Sequence, residues 1–221
     1  MELKAVLFDM DGVIVDTEPL HRKAYFKTFE DLGIEVSDDL YNSFTGNSTK
    51  KVCETLISRF GLRQTIEEIS EMKRRYFKHF FDTDDDFRLL PNIYQLFEAY
   101  QKAGIVMILA SSASMNTIDW VFEKFQIGHF FKGKISGAEL KESKPNPEIF
   151  NLASEISGYP KENCIVVEDS TNGILAAHRA GIFCVAYKSQ HSKNQDYTLS
   201  NMIVEDFLDI LPEKMKNIGS E

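Results

Sequence analysis

Apolar residues along the chain fall into two kinds of pattern. Short unbroken runs, bounded by turn-forming or acidic residues, lie at 3–8, 105–110, 164–167 and 183–187, with fainter ones around Ile135 and Ile203. Continuous apolarity over so few positions is what a strand buried on both faces of a parallel sheet requires. Between the runs, apolar positions recur at helical spacing. Tyr94, Leu96, Phe97 and Tyr100 share one segment, Ile118, Val121, Phe122 and Phe125 a second, and residues 174–180 form a third. Strands alternating with helices predict right-handed βαβ units and an α/β fold, its parallel sheet covered on both faces.

One stretch breaks the alternation. From about residue 17 to residue 81 the pattern is helical throughout. Phe26, Phe29 and Leu32 repeat along one segment and Val52, Leu56 and Phe60 along another, followed by Ile66, Ile69, Met72, Tyr76 and Phe80. A helical block inserted directly after the first strand reads as a separate small bundle. The return crossing, Asp82-Thr83-Asp84-Asp85-Asp86, reads as a solvated hinge, because like charges this dense extend a linker.

Composition narrows the classes. The 221 residues suffice for one or two domains with a real core, and 43% hydrophobic with 27% charged is a globular balance. The formal net charge of −9 disfavours nucleic acid and anionic lipid as partners. Cys53, Cys164 and Cys184 are scattered, with no CxxC pair, and read as reduced thiols of a cytoplasmic protein. The first residues lack the basic and long apolar regions of a signal peptide, and no apolar run reaches the roughly 18 residues of a membrane span.

Parallel α/β sheets bind ligands at the carboxyl ends of their strands, so the strand exits carry the candidate chemistry. The first strand ends in Asp9-Met10-Asp11-Gly12, whose two carboxylates are alternate residues and can share a face. Another run ends in Glu168-Asp169. Clustered carboxylates repel unless a cation lies between them, and hard oxygen ligands favour Mg2+. The second strand runs out into Ser111-Ser112-Ala113-Ser114, an anion site at the opening of a helix, and Lys144-Pro145-Asn146-Pro147 brings a positive charge before another helix. Acids on one side, with hydroxyl and ammonium on the other, suit a phosphoryl group.

Three decoys fail on their own chemistry. Residues 128–134 have P-loop spacing, but Ile135 follows where Ser or Thr is needed, and the loop is aromatic. Asp9-Met10-Asp11-Gly12 places its glycine too early for a calcium loop, and Leu20 stands where that loop has Glu. Asn47-Ser48-Thr49 is a glycosylation sequon without a secretory context.

Taken together, Phe8-Asp9-Met10-Asp11-Gly12-Val13, Ser111, Lys144-Pro145 and Val167-Glu168-Asp169-Ser170 resemble the four motifs of haloacid-dehalogenase phosphohydrolases. The resemblance is to the subgroup of β-phosphoglucomutase and the small sugar-phosphate phosphatases, and it spans essentially the whole chain. Asp16-Thr17-Glu18 and His21 match the stretch leading into that family's helical cap, and Gly173-Ile174 the helix after the fourth motif. The resemblance implies a Rossmann-like core, residues 1–15 and 86–221, with a helical cap domain at 16–85. It also implies Asp9 as nucleophile and Asp11 as acid and base, with Ser111, Ser112 and Lys144 holding phosphate. Mg2+ would be held among Asp9, Asp11, Glu168 and Asp169. Thr17, His21, Gly46 and Lys73 would meet the substrate from the cap. The expected protein is a cytoplasmic monomer acting on a small phosphorylated metabolite.

Two competing readings carry discriminators. A phospho-receiver domain also combines clustered Asp, Mg2+, hydroxyl and lysine. Receivers, however, are single domains of roughly 120 residues without an insertion after the first strand. A β-phosphoglucomutase-type mutase has a cap-loop arginine where this chain has Thr49 and Lys50, and a lysine soon after the second-motif serine where it has Ser114 and Met115. Arginine holds a second phosphate bidentately and lysine does not, so hydrolysis is the expected outcome.

Overall fold

The computed structural model describes residues 2–44, 49–188 and 194–217. After β1 (Ala5–Phe8) come four helices, α1 (Glu18–Leu32), α2 (Asp38–Asn42), α3 (Thr49–Phe60) and α4 (Ile66–Thr83). Strands and helices then alternate through α5 (Ile93–Lys102), β2 (Val106–Ser111), α6 (Met115–Phe125), β3 (Phe131–Ser136) and α7 (Glu148–Ser157). The pattern ends with β4 (Cys164–Glu168), α8 (Thr171–Ala180), β5 (Phe183–Tyr187) and β6 (Met202–Val204). The chain divides into two compact units, one of residues 1–16 and 88–221, the other of residues 17–87.

In the first unit six strands form one parallel sheet in the order β3-β2-β1-β4-β5-β6. Chain order reverses beside β1, so β1 and β4 flank the switch point where ligands enter such sheets. Register brings their exits level: Phe8 lies beside both Leu109 and Val167, and the Asp9 amide donates to the Val167 carbonyl at 3.0 Å.

Alternation along β1 sorts the core into two layers. Ala5 and Leu7 pack with Ile149, Phe150 and Ala153 of α7 and Ile174 and Ala177 of α8. On the other face Phe8 meets Phe97 of α5 edge to face, with centroids 5.3 Å apart, and Phe131 at 6.1 Å. Phe97 also lies 5.2 Å from Phe131 and 5.5 Å from Phe130. The Tyr100 hydroxyl donates to the Ile210 carbonyl at 2.6 Å, fastening the C-terminal segment to α5.

The helical unit has its own core of Tyr25, Phe29, Tyr41, Phe44, Val52 and Leu56. A capping box starts α4: Thr65 Oγ1 accepts from the Glu68 amide at 3.2 Å, and Glu68 accepts from the Thr65 amide at 2.8 Å.

Two expectations shift. The acidic stretch 82–86 is more structured than a solvated hinge, since Asp82 and Thr83 complete the last turn of α4. Lys78 holds Asp82 at 2.5 Å, and Asp84 pairs with Lys23 of α1 while accepting from the Asp86 amide. Ser111, expected past the second strand, is its last residue. Residues 128–134 form a short 3-10 turn and the start of an edge strand, which fits their rejection as a P-loop. Among the described residues no helix is long and apolar enough to cross a membrane.

Phe97 is fully buried at the meeting point of three aromatic rings. Phe97→Ala should therefore destabilise the protein by about 3–5 kcal/mol. Tyr94→Ala, in the same helix but 42% exposed, should cost about 1 kcal/mol or less. Chemical denaturation of both variants measures the difference.

Candidate active site

The level exits of β1 and β4 put two carboxylates beside each other, and the loop before α7 drives an ammonium between them. Asp9 is 7% exposed and Glu168 1%. Lys144 Nζ donates to Asp9 Oδ1 and, at 2.8 Å, to Glu168 Oε1, while lying 4.9 Å from the centre of the Phe150 ring. Burial pushes the Asp9 carboxyl well above its ordinary range. Lys144 opposes that rise, and the charges of Glu168 and Asp169 add to it. For Lys144, burial works against the ammonium, yet Asp9 and Glu168 outweigh it and hold the group above its usual value. The lysine is a fixed cation.

Glu168 is the most heavily bonded member of the set. Its Oε2 accepts from the Asp169 amide and the Ser170 amide, both at 2.9 Å, and from Ser170 Oγ at 3.0 Å. Ser170 Oγ in turn accepts from the Gly173 amide at 3.1 Å and so caps α8. With Oε1 on Lys144, both carboxylate oxygens are used inside the protein.

The turn after β1 closes on itself: the Ile14 and Val15 amides donate to the Met10 carbonyl and the Gly12 amide to the Val15 carbonyl at 2.7 Å. Gly12 has φ +83°, and a Cβ there would overlap the Asp169 carboxylate. Asp11 and Asp169 are thereby carried to the same edge as Asp9. At the β2 exit Ser111 is buried, and its Oγ accepts from the Ala113 amide at 3.1 Å. Ser112 is exposed, and its Oγ accepts from Ser143 Oγ at 3.0 Å. The hydroxyl loop is thus tied to the residue before Lys144.

The structure gathers Asp9, Lys144 and Glu168 and sets Asp169 near enough for its charge to act on Asp9. It does not gather the four predicted metal acids into one group. Among the described residues no three His, Cys, Asp or Glu side chains are clustered to hold a metal ion. Asp9 and Glu168 are instead joined through the Lys144 ammonium. The donor set still suits a hard cation, because two carboxylates share one ammonium and the charge of Asp169 also bears on Asp9.

Several supporting residues were not singled out by sequence reasoning. Ser143 links the loop to Ser112, and Arg179 at the end of α8 donates to the Pro145 carbonyl at 3.0 Å, bracing the lysine loop from behind. Ser170, part of the fourth motif, also serves as the N-cap of α8, a position serine favours.

In the helical unit the predicted substrate residues Thr17, His21 and Lys73 take distinct settings, and Gly46 lies outside the described residues. Thr17 is buried, and its carbonyl accepts from the His21 amide. Lys73 Nζ lies 2.7 Å from His21 Nδ1 and 5.1 Å from the ring centres of Tyr25 and Phe77. The His21 ring stacks on Phe77 with centroids 4.4 Å apart. Burial, with the Lys73 charge, lowers His21 to about 3, and burial lowers Lys73 to about 8 despite the nearby Glu18. A neutral imidazole accepts from the ammonium, which assigns the ring proton to Nε2.

A family model for haloacid dehalogenase-like hydrolases matches residues 6–187. The chain is a member of the haloacid dehalogenase-like hydrolase family. This hydrolase is 29% identical over 201 residues to a phosphorylated carbohydrates phosphatase of Thermotoga maritima, covering 89% of this chain and 90% of that protein. Its fold matches CbbY of Rhodobacter sphaeroides, solved with phosphate and, as a mutant, with xylulose-(1,5)-bisphosphate. Both have TM-score 0.77 and 25% identity, over 93% of this chain and 95% of that one. A β-phosphoglucomutase from Clostridium difficile aligns at TM-score 0.73 and 26% identity, over 94% of this chain and 93% of that one.

The depressed histidine has a stability consequence. Unfolded, His21 binds a proton near pH 6.5; folded, only near 3. Between these values the unfolded state holds more protons, so stability falls as pH drops. Relative to His21→Gln, the wild-type protein should lose roughly 2–3 kcal/mol more between pH 6.5 and 4. Denaturant titrations of both proteins at each pH measure the difference.

Proposed function

We propose that this hydrolase is a phosphomonoesterase of small organic phosphates, sugar phosphates in particular, acting through an aspartyl-phosphate on Asp9. The observation that carries the reading is the buried Asp9–Lys144–Glu168 set at the switch point of the sheet. It presents a carboxylate nucleophile with a fixed cation at its side. The similarity to a phosphorylated carbohydrates phosphatase supports the substrate class.

An Asp9 carboxylate oxygen attacks phosphorus as the phosphorus–oxygen bond to the alcohol breaks, and Asp11 gives its proton to the leaving oxygen. Asp11 then takes a proton from water, which attacks the aspartyl-phosphate. The bond from phosphorus to Asp9 breaks, and inorganic phosphate is released with both carboxyl groups restored. Lys144, Ser111 and the Ser112 amide hold the phosphoryl oxygens through both steps. Asp9, Asp169 and the Asp11 carbonyl would hold Mg2+, with Glu168 behind them steadying Lys144. The ion supplies the positive charge that lets one anion approach another.

In this reading the helical unit, residues 17–87, is the cap expected at 16–85, and it contributes Thr17, His21, Gly46 and Lys73 to substrate recognition. The protein works as a cytoplasmic monomer, and its three buried thiols suit a reducing compartment. Phosphatase is preferred to mutase, although β-phosphoglucomutases share the fold. Ser114 and Met115 occupy the region where the mutase has its lysine, and the Ser114 hydroxyl caps α6 instead. The cap-loop arginine that would grip a second phosphate is likewise replaced by Thr49 and Lys50.

A panel of phosphorylated metabolites with Mg2+, including β-glucose 1-phosphate with a bisphosphate activator, tests the proposal. Released phosphate should exceed isomerised sugar, and chelation should abolish both. Asp9→Asn should lower turnover at least 1000-fold with the fold intact. Asp11→Asn should form the aspartyl-phosphate from substrates with good leaving groups and hydrolyse it slowly. Wild-type phosphate release by folded Asp9→Asn protein would overturn the mechanism. Isomerisation outrunning phosphate release tenfold would favour the mutase.

A further inference from the structure

Helix α8 starts directly behind the buried acids, and Gly173 sits in its first turn. Glycine is the poorest helix former after proline, so its presence inside a helix needs a cause. The backbone supplies none, since Gly173 is not among the glycines with positive φ. Space supplies one. A Cβ on Gly173 would overlap both oxygens of the Glu168 carboxylate.

We propose that Gly173 is a positioning residue for the reaction: its missing side chain is the seat of the Glu168 carboxylate, and through that seat it holds Lys144 against Asp9. The carboxylate cannot yield to a methyl group without loss. Its Oε2 is fixed by two backbone amides and Ser170 Oγ, and Ser170 Oγ is itself held by the Gly173 amide. Its Oε1 carries the 2.8 Å bond from Lys144, which reaches Asp9 with the same ammonium. A methyl at position 173 therefore shifts the glutamate, and the lysine leaves its place beside the nucleophile. The catalytic consequence rests on the role proposed for Asp9; the steric pairing of Gly173 with Glu168 stands apart from it.

The experiment is a double-mutant cycle of Gly173→Ala and Glu168→Asp, read by steady-state hydrolysis of p-nitrophenyl phosphate with Mg2+ and by thermal melting without substrate. In the wild-type background Gly173→Ala should lower kcat at least 50-fold with KM changed less than threefold, and should lower Tm. In the Glu168→Asp background the shortened side chain leaves room. There Gly173→Ala should change kcat less than threefold and raise Tm, as alanine does in a helix free of conflict. Equal kcat losses in the two backgrounds, or a Tm raised by Gly173→Ala in the wild-type background, would overturn the proposal. Should Gly173→Ala alone be insoluble, the double variant decides: a Tm at or above that of Glu168→Asp supports the seat, and a lower one refutes it. Should the wild-type protein release no phosphate, the functional reading falls, while the signs of the Tm changes still judge the pairing.

Discussion

A lysine ammonium enclosed between two carboxylates sets the conditions that the rest of the sheet edge must meet. Removing a charge from water carries a penalty of several kcal/mol, and three such groups are buried together here. The arrangement is tolerable only because every partner arrives in place. Parallel pairing puts the ends of β1 and β4 level, so Asp9 and Glu168 face one ammonium. The start of α8 turns two amides and a hydroxyl onto the second oxygen of Glu168. Arg179 braces the loop that carries the lysine. Removing Lys144 would leave two buried carboxylates side by side without compensation, so register, cap and loop act together to hold it.

Legibility in the sequence followed burial. Strands β1, β2, β4 and β5 are covered on both faces, and their residues are apolar without alternation, so they stand out as runs. The two edge strands were faint for physical reasons. In β3, Lys132 and Lys134 alternate with Phe131 and Gly133, because an edge is only partly covered. Strand β6 has three residues, of which Ile203 is 53% exposed. The site residues at strand exits were legible because topology alone brings them to one edge. Their supports were not. That Glu168 turns onto the first turn of α8, or that Ser143 reaches Ser112, depends on side-chain directions that no spacing rule encodes. The acidic stretch 82–86 misled for the same reason, since Lys23, the partner of Asp84, is far away in sequence.

The insertion after β1 poses a mechanical question: how a long helical excursion leaves the register of the central strand undisturbed. The answer lies in the few residues on either side of it. The turn 10–15 is closed by its own amides, with Met10 accepting from Ile14 and Val15. Val15 pairs with Asp11 on one side and with Leu89 on the other, and the Leu90 amide donates to the Ile14 carbonyl at 2.9 Å. The outgoing and returning chains are therefore clasped to each other at the edge of the sheet unit. Whatever happens inside the inserted helices, the position of Asp9 is set by its ladder with β4 and by this clasp. The helical unit in turn rests on its own aromatic core and on the buried Lys73–His21 contact. Each unit is stabilised by contacts of its own. The inserted unit can therefore change its surface and loops without disturbing the ladder and turn that hold Asp9.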